Sequence, residues 1–275
     1  MFKVSHVRRY KLLLVVFAAT LGVDGLKLIV HHFKLELFGT NPLFSALVTA
    51  TVFLLGFLLN GVLSDYKESE KLPGDLSTSL EVIALELRAA AIRHPEVDVL
   101  TAQRSLTDLV QAILNWLYQR IDTAAMMRAL YGSHRAIINA AVRLKPVDAG
   151  VSMGLQTRMA AELELGFKVL NRIEAIRETS FVPVVYWLAY GGYTLLVAGL
   201  VFTKSDKLPE QIFFLSVIAF VLLFLLRLID DLDNPFGLGD PDSAEDVSVE
   251  VLQATHRRLQ FLEAETEASQ LPEAQ

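Results

Sequence analysis

The chain has 275 residues, 53% of them hydrophobic, with 25 basic and 31 acidic side chains and a formal charge of −6. It contains no cysteine, which excludes a disulfide framework, a thiolate metal site and a cysteine nucleophile. Mild acidity without a basic cluster argues against a nucleic-acid partner, and a mean hydropathy of +0.42 points to a membrane protein.

The apolar residues gather in four runs, about 11–31, 43–64, 181–203 and 210–230. Each approaches the ~20 residues that cross a hydrocarbon layer of ~30 Å. The first run has the basic start of a secretion signal, and Ala18-Ala19 resembles a cleavage site. Its apolar pattern continues through Gly22, Leu26, Ile29 and Val30, longer than a signal core, so the expectation is an uncleaved span. Lys3, Arg8, Arg9 and Lys11 place the N-terminus in the cytoplasm. Four spans then return the C-terminus to the same side and leave residues 65–180 cytoplasmic. The short outer loop TKSDKLPEQ carries two Lys, so the charge rule is obeyed loosely. Asp24 and Lys27 lie three apart near the outer end of the first span, where both are expected to reach headgroups rather than form an ion path. His31 and His32 are too close in sequence to share one metal without a third ligand.

The second run, FLLGFLLNGVLSDYKESEKLPG from Phe53 onward, passes from apolar helix to alternating charge with no turn residue between. At about 100° per residue, Ser45, Thr49, Phe53, Gly56, Phe57, Asn60 and Ser64 share one arc, with Leu and Val over most of the rest and Thr51 and Gly61 on the far side. Small and weakly polar residues are also what a helix-packing seam selects. Phe53 and Phe57 favour the other reading: around an axis they stack as apolar rings, a constriction that gates by dewetting. An Asn in hydrocarbon wants protein or water.

The segment 65–180 reads as helices throughout. Thr78 and Glu81 have capping-box spacing ahead of a helix that His94-Pro95 ends. A helix over 99–121 aligns Leu106, Leu109, Val110, Ile113, Leu114 and Leu117. Two shorter pieces, 123–131 and 133–144, have Asp122 and Ser133 as N-cap candidates, Lys145-Pro146 breaks the chain, and a helix over 150–178 leads to the third span. Tyr186, Trp187, Tyr190 and Tyr193 are expected as an interfacial belt. Arg227 is expected to snorkel towards Asp230 or Asp231. Residues 253–275 are rich in Glu, Ala and Gln, a polar tail expected to be frayed or disordered. A glycine-rich phosphate loop, a His-Glu metal helix and a nucleophile elbow are all absent from the sequence, and the chain is not expected to be an enzyme.

Three motifs carry a family resemblance. Gly56-Phe57, Asn60, Asp65-Tyr66, Glu68, Lys71-Leu72 and Gly74 follow one signature. Glu174, Ile176, Arg177, Thr179, Pro183 and Tyr186 follow E-x-I-x-x-T-P-x-P-x-x-Y with one extra residue. Asp233-Asn234-Pro235-Phe236-Gly237 follows the last span. Together they resemble the bestrophin ion-channel family, in a divergent, bacterial-type form: Pro73 stands where bacterial members have Trp, and the first Pro of the second motif is missing.

The resemblance implies an all-α fold, with four transmembrane helices continuous with a cytoplasmic helical bundle over residues 1–252, assembled as a funnel-like homopentamer in the plasma or inner membrane. It implies a neck of Thr49, Phe53 and Phe57, with Asn60 facing the pore and a cytoplasmic exit constriction near Leu155. The expected activity is passive chloride conduction. A monovalent cation channel such as a sodium channel, and a non-conducting membrane protein whose cytoplasmic bundle binds a partner, remain open beside it. Animal members bind Ca²⁺ through acidic residues after Pro-Phe-Gly. The equivalents here are Asp240, Asp242, Glu245 and Asp246, but Pro241 interrupts the run, so a solvated acidic stretch and no resident cofactor are expected. The partners implied are other copies of the chain, the bilayer and small permeant ions.

Overall fold

The computed structural model describes residues 2–39, 42–143, 149–179, 183–204, 207–238 and 245–270. Among them are nine α-helices and no strand; the one β-type contact is an isolated bridge between Phe38 and Thr203. The helices are α1 (Phe2–His32), α2 (Pro42–Ser69), α3 (Leu72–Arg93), α4 (Leu100–Leu117), α5 (Thr123–Arg143), α6 (Ala149–Glu178), α7 (Pro183–Val201), α8 (Leu208–Leu232) and α9 (Glu250–Gln270). The chain divides into two compact units. One comprises Met1–Lys67, Thr179–Pro235 and Asp240–Asp246; the other comprises Glu68–Glu178, Phe236–Gly239 and Val247–Gln275.

The first unit holds the apolar helices. Among the described residues, four stretches of helix are long and apolar enough to cross a membrane, one in each predicted run, so this is a membrane protein. α1 packs on α7 and α8, and α7 on α8. The largest core joins Leu55, Leu58 and Val62 of α2 to Ala189 and Leu196 of α7 and to Leu222, Leu226 and Ile229 of α8. A second cluster joins Val30 of α1 to Val197, Val201, Leu215 and Ala219. Three buried threonine hydroxyls of this unit are satisfied locally: Thr20, Thr51 and Thr203 each donate to the carbonyl four residues earlier, at 2.7–2.9 Å, as hydrocarbon requires.

After α1 the chain turns through Lys34, held at φ 55°, and returns along the end of α7. The amides of Leu37 and Phe38 donate to Phe202 O, and Lys204 N donates to Phe38 O at 2.7 Å. Here the structure corrects an expectation. Lys27 does not reach headgroups; its side chain is wholly buried and pairs with Glu36 at 2.7 Å. Asp24 accepts a hydrogen bond from Ser216 at 2.8 Å.

The second unit is a helical bundle in which α3 packs on α6 and α9, and α4 on α5 and α9. The α4 face expected from periodicity is the buried one: Leu106, Leu109, Val110, Ile113, Leu114 and Leu117 are all inside. Burial on this scale contributes about 1.5–3 kcal/mol per large side chain. Asp122 caps α5 as expected, accepting from Ala125 N at 2.7 Å.

Four differences from the sequence reading stand out. α2 stops at Ser69, and Glu70-Lys71 form a turn before α3. α3 starts at Leu72, ahead of the expected Thr78, with Pro73 in its first turn and Asp75 behind it; proline there is pre-organised for helix and an acid suits the helix N-terminus. Thr78 therefore lies inside the helix and donates to Gly74 O. The two pieces expected after Asp122 are one helix, because Met126, Leu130, Ser133, Ile137 and Ala140 form a continuous buried stripe and packing overrides weak local propensity. The Lys145-Pro146 break lies outside the described residues.

The fourth difference is the expected polar tail, which is a packed helix. α9 buries Leu252, Thr255, Leu259 and Thr266. Glu81 of α3 gathers the Thr255 hydroxyl at 2.8 Å and the Arg258 guanidinium. Burial pushes the Glu81 carboxyl up, but Arg258 and Thr255 outweigh it and hold the group below its ordinary range. Arg88 pairs with Glu265 at 2.9 Å, and Arg104 spans Glu263 and Glu267.

Candidate pore-lining helix

α2 has two faces of opposite fate. Thr51, Leu55, Leu58 and Val62 recur at helical spacing and are buried against the unit. The other face carries Ser45, Thr49, Phe53, Gly56, Phe57, Asn60 and Ser64, all exposed. This is the arc that the sequence singled out. Phe53 is 77% exposed and Phe57 65%, although each is a large ring one helical turn from the other. The Thr49 hydroxyl donates to Ser45 O at 2.8 Å, so its polar need is met by its own helix. The face is therefore not a packing seam within the chain; Gly56 has open space where a Cβ would point.

Below this face, α2 enters the acid-and-aromatic motif. Tyr66 packs against the large core of the first unit. In the second unit, Glu68 accepts a two-pronged hydrogen bond from Arg172 of α6, Nε at 3.0 Å and Nη2 at 2.9 Å. That guanidinium holds the Glu68 carboxyl below its usual range. Two parallel bonds fix orientation as well as charge, so this motif residue pins α6 beside the end of α2.

The second motif splits by role. Arg177 lays its guanidinium over the Trp116 ring, 4.4 Å from the centroid, a cation–π contact of about 0.5–2 kcal/mol. Burial lowers its pKa, though far too high a group is involved for the charge to be lost. Tyr186 and Tyr190 do not form the expected belt: Tyr190 donates to Asp230 of α8, and the Tyr186 hydroxyl lies near Asp233 and Asp230. Tyr193 packs between the two apolar clusters. Trp187, by contrast, is 82% exposed. Asp230 accepts from Tyr190 and Asp231 accepts Glu245 N–H at 2.7 Å, and Arg227 on the same helix is exposed.

The third motif ends in a buried Phe236, 1% exposed. Of the acidic residues after it, Asp240 and Asp242 lie outside the described residues, while Glu245 and Asp246 are half-buried. Among the described residues no group of three metal-type side chains occurs. Leu155 lies in α6, and its side chain is outside the described set.

Sequence comparison with family models and with curated proteins gives no match. Structural comparison does. The bestrophin homologue from Klebsiella pneumoniae, in a form phased on zinc, superposes with a TM-score of 0.70 over 91% of this chain and 98% of that one, at 17% identity. A single-substitution variant of it gives the same TM-score, identity and coverage. Another gives 0.65 over 90% of this chain and 99% of that one, at 19% identity. The chain has the bestrophin fold. The match runs through both units, so the helical bundle is as much a part of the bestrophin architecture as the apolar helices. It reaches this fold with less than a fifth of its residues shared, as the divergent motifs foretold.

Sequence reasoning missed Lys27–Glu36, Tyr190–Asp230 and Arg172. A lysine in the body of an apolar run was the available signal for the first. Its partner lies beyond a turn and was not marked by spacing.

Proposed function

We propose that the chain is one subunit of a bestrophin-type ion channel in which copies surround an axis and α2 lines the pore. The observation that carries this reading is the division of α2: the Thr49, Phe53, Phe57 and Asn60 face is free in the subunit while the opposite face is consumed by its own core. Five copies around an axis turn Phe53 and Phe57 into stacked rings, a dewetting neck, with Thr49 on one side and Asn60 on the other. The positive edges of the phenyl rings suit an anion, so chloride is the proposed permeant ion and a monovalent cation the alternative. Leu155 is the proposed exit constriction. Conduction in this scheme is passive and needs no cofactor, and both termini lie in the cytoplasm.

The test is the reversal potential of the purified protein in a planar bilayer under a NaCl gradient, after its mass establishes a pentamer. Reversal near the chloride equilibrium potential supports the proposal. Reversal near sodium's transfers the role to cations. Absence of current from a verified pentamer contradicts conduction.

A further inference from the structure

α2 carries three charged side chains in its 28 residues, Asp65, Lys67 and Glu68, all close to its end. They do not share a face. At about 100° per residue, Lys67 falls roughly 20° from Asn60 and roughly in line with Thr49, so it continues the open arc. Asp65 falls roughly 20° from Leu58, on the side that the core of the unit consumes, and has a partner of its own. Glu68, in line with Phe57 at the edge of the arc, is answered by the two-pronged bond from Arg172. Lys67 is exposed, and no ion pair to it occurs among the described residues. Past the end of α2, Glu70 and Lys71 carry opposite charges and cancel. The one uncompensated charge on the open arc is therefore positive.

Its depth matters as much as its sign. Lys67 stands ten residues beyond Phe57, about 15 Å along the helix axis, where α2 has left its apolar run. A charge inside the constriction of Phe53 and Phe57 would keep it wet. A charge at its mouth leaves the constriction apolar and decides which ions gather there. The Debye length is about 8 Å at physiological salt, so such a charge acts on ions at the mouth and loses reach as salt rises.

We propose that Lys67 sets the charge selectivity of the channel: one Lys67 from each copy joins a ring of ammonium groups at the mouth of the neck, which draws in small anions and holds back monovalent cations. The inference rests on the reading of α2 as the pore wall and gives that wall its sign, because phenyl edges carry only partial charge. A lysine in the last turn also suits the negative end of a helix. That role is blind to the ion that passes, so selectivity separates the two.

The test is the chloride-to-sodium permeability ratio of the purified oligomer, from reversal potentials in a planar bilayer under NaCl gradients. It is read near about 0.1 M and about 1 M salt, between which the screening length falls from about 10 Å to about 3 Å. The wild type should favour chloride, more strongly at the lower salt. Lys67→Gln should lower the ratio severalfold and remove its salt dependence, Lys67→Arg should keep both, and Lys67→Glu should carry the preference over to sodium. An unchanged ratio in a conducting Lys67→Gln channel overturns the inference and leaves the pore reading standing. If Lys67→Gln does not assemble, the wild type decides alone: a ratio equal at the two salts, or a preference for sodium, overturns it. Absence of current from a verified wild-type oligomer overturns the pore reading and this inference with it.

Discussion

Lys27 Nζ lies 2.7 Å from Glu36 Oε1, with the lysine side chain fully buried and the glutamate 10% exposed. The same ammonium donates to Thr203 O at 2.6 Å, and His31 Nδ1 meets the same carboxylate oxygen at 3.0 Å. One buried cation therefore ties α1, the return loop and the end of α7 together. Removing one member of a buried pair strands the other, at a cost of about 3–5 kcal/mol. Glu36→Gln keeps an acceptor and should fall at the lower end, about 3 kcal/mol, read as a lower thermal midpoint in detergent.

The same pair gives a pH dependence. The hydrogen bond from Lys27, with a second contribution from His31, depresses the Glu36 carboxyl. A depressed acid contributes stability that is complete above the ordinary glutamate range and is lost as pH falls through its lowered folded value. The wild type should lose this increment on acidification and Glu36→Gln should not. Parallel pH curves for the two proteins would contradict the pairing.

Tyr190→Phe removes the donor to Asp230 and leaves that half-buried carboxylate without its phenol. The expected loss is about 1–3 kcal/mol. Trp187→Phe, at the exposed side of the same helix, should change stability by less than about 0.5 kcal/mol. Comparing their thermal midpoints separates an inner tyrosine face from an interfacial belt.

Within α9, Leu252 is fully buried and Phe261 is 63% exposed. Leu252→Ala should destabilise the helical bundle by about 2–5 kcal/mol, whereas Phe261→Ala should stay within about 0.5 kcal/mol. Chemical denaturation followed by circular dichroism checks both. A mild effect of Leu252→Ala would return this segment to the status of a loose tail.

Apolar run length and helical periodicity carried most of the architecture: the four spans, the α4 face and the exposed arc of α2 follow from side-chain spacing alone. What was not legible depended on partners distant in the chain. α9 looks like a solvated tail because Glu, Gln and Ala dominate it, yet Leu252, Thr255 and Leu259 recur on one side and find α3 and α4. Lys27 and Tyr190 were read as interfacial because single-helix logic sends polar tips outward, and only a folded chain shows Glu36 and Asp230 waiting inside. The early start of α3 follows from Pro73 in its first turn, a local signal outweighed in the sequence reading by the capping-box spacing of Thr78 and Glu81.

Phe57→Ala should widen an apolar neck and ease its wetting, raising single-channel conductance severalfold in an intact oligomer. Unchanged or smaller current with assembly preserved would count against the neck assignment.

The most direct test of the account uses a property of the chain itself: it has no cysteine, so a single introduced thiol is the only target for a charged methanethiosulfonate reagent. Current should be altered by the reagent in Thr49→Cys, Phe57→Cys and Asn60→Cys, and should be unaffected in Leu55→Cys and Leu58→Cys, whose positions are buried in the subunit core. Modification that changes current equally on both faces, or on neither, would contradict the claim that the open face of α2 lines the pore.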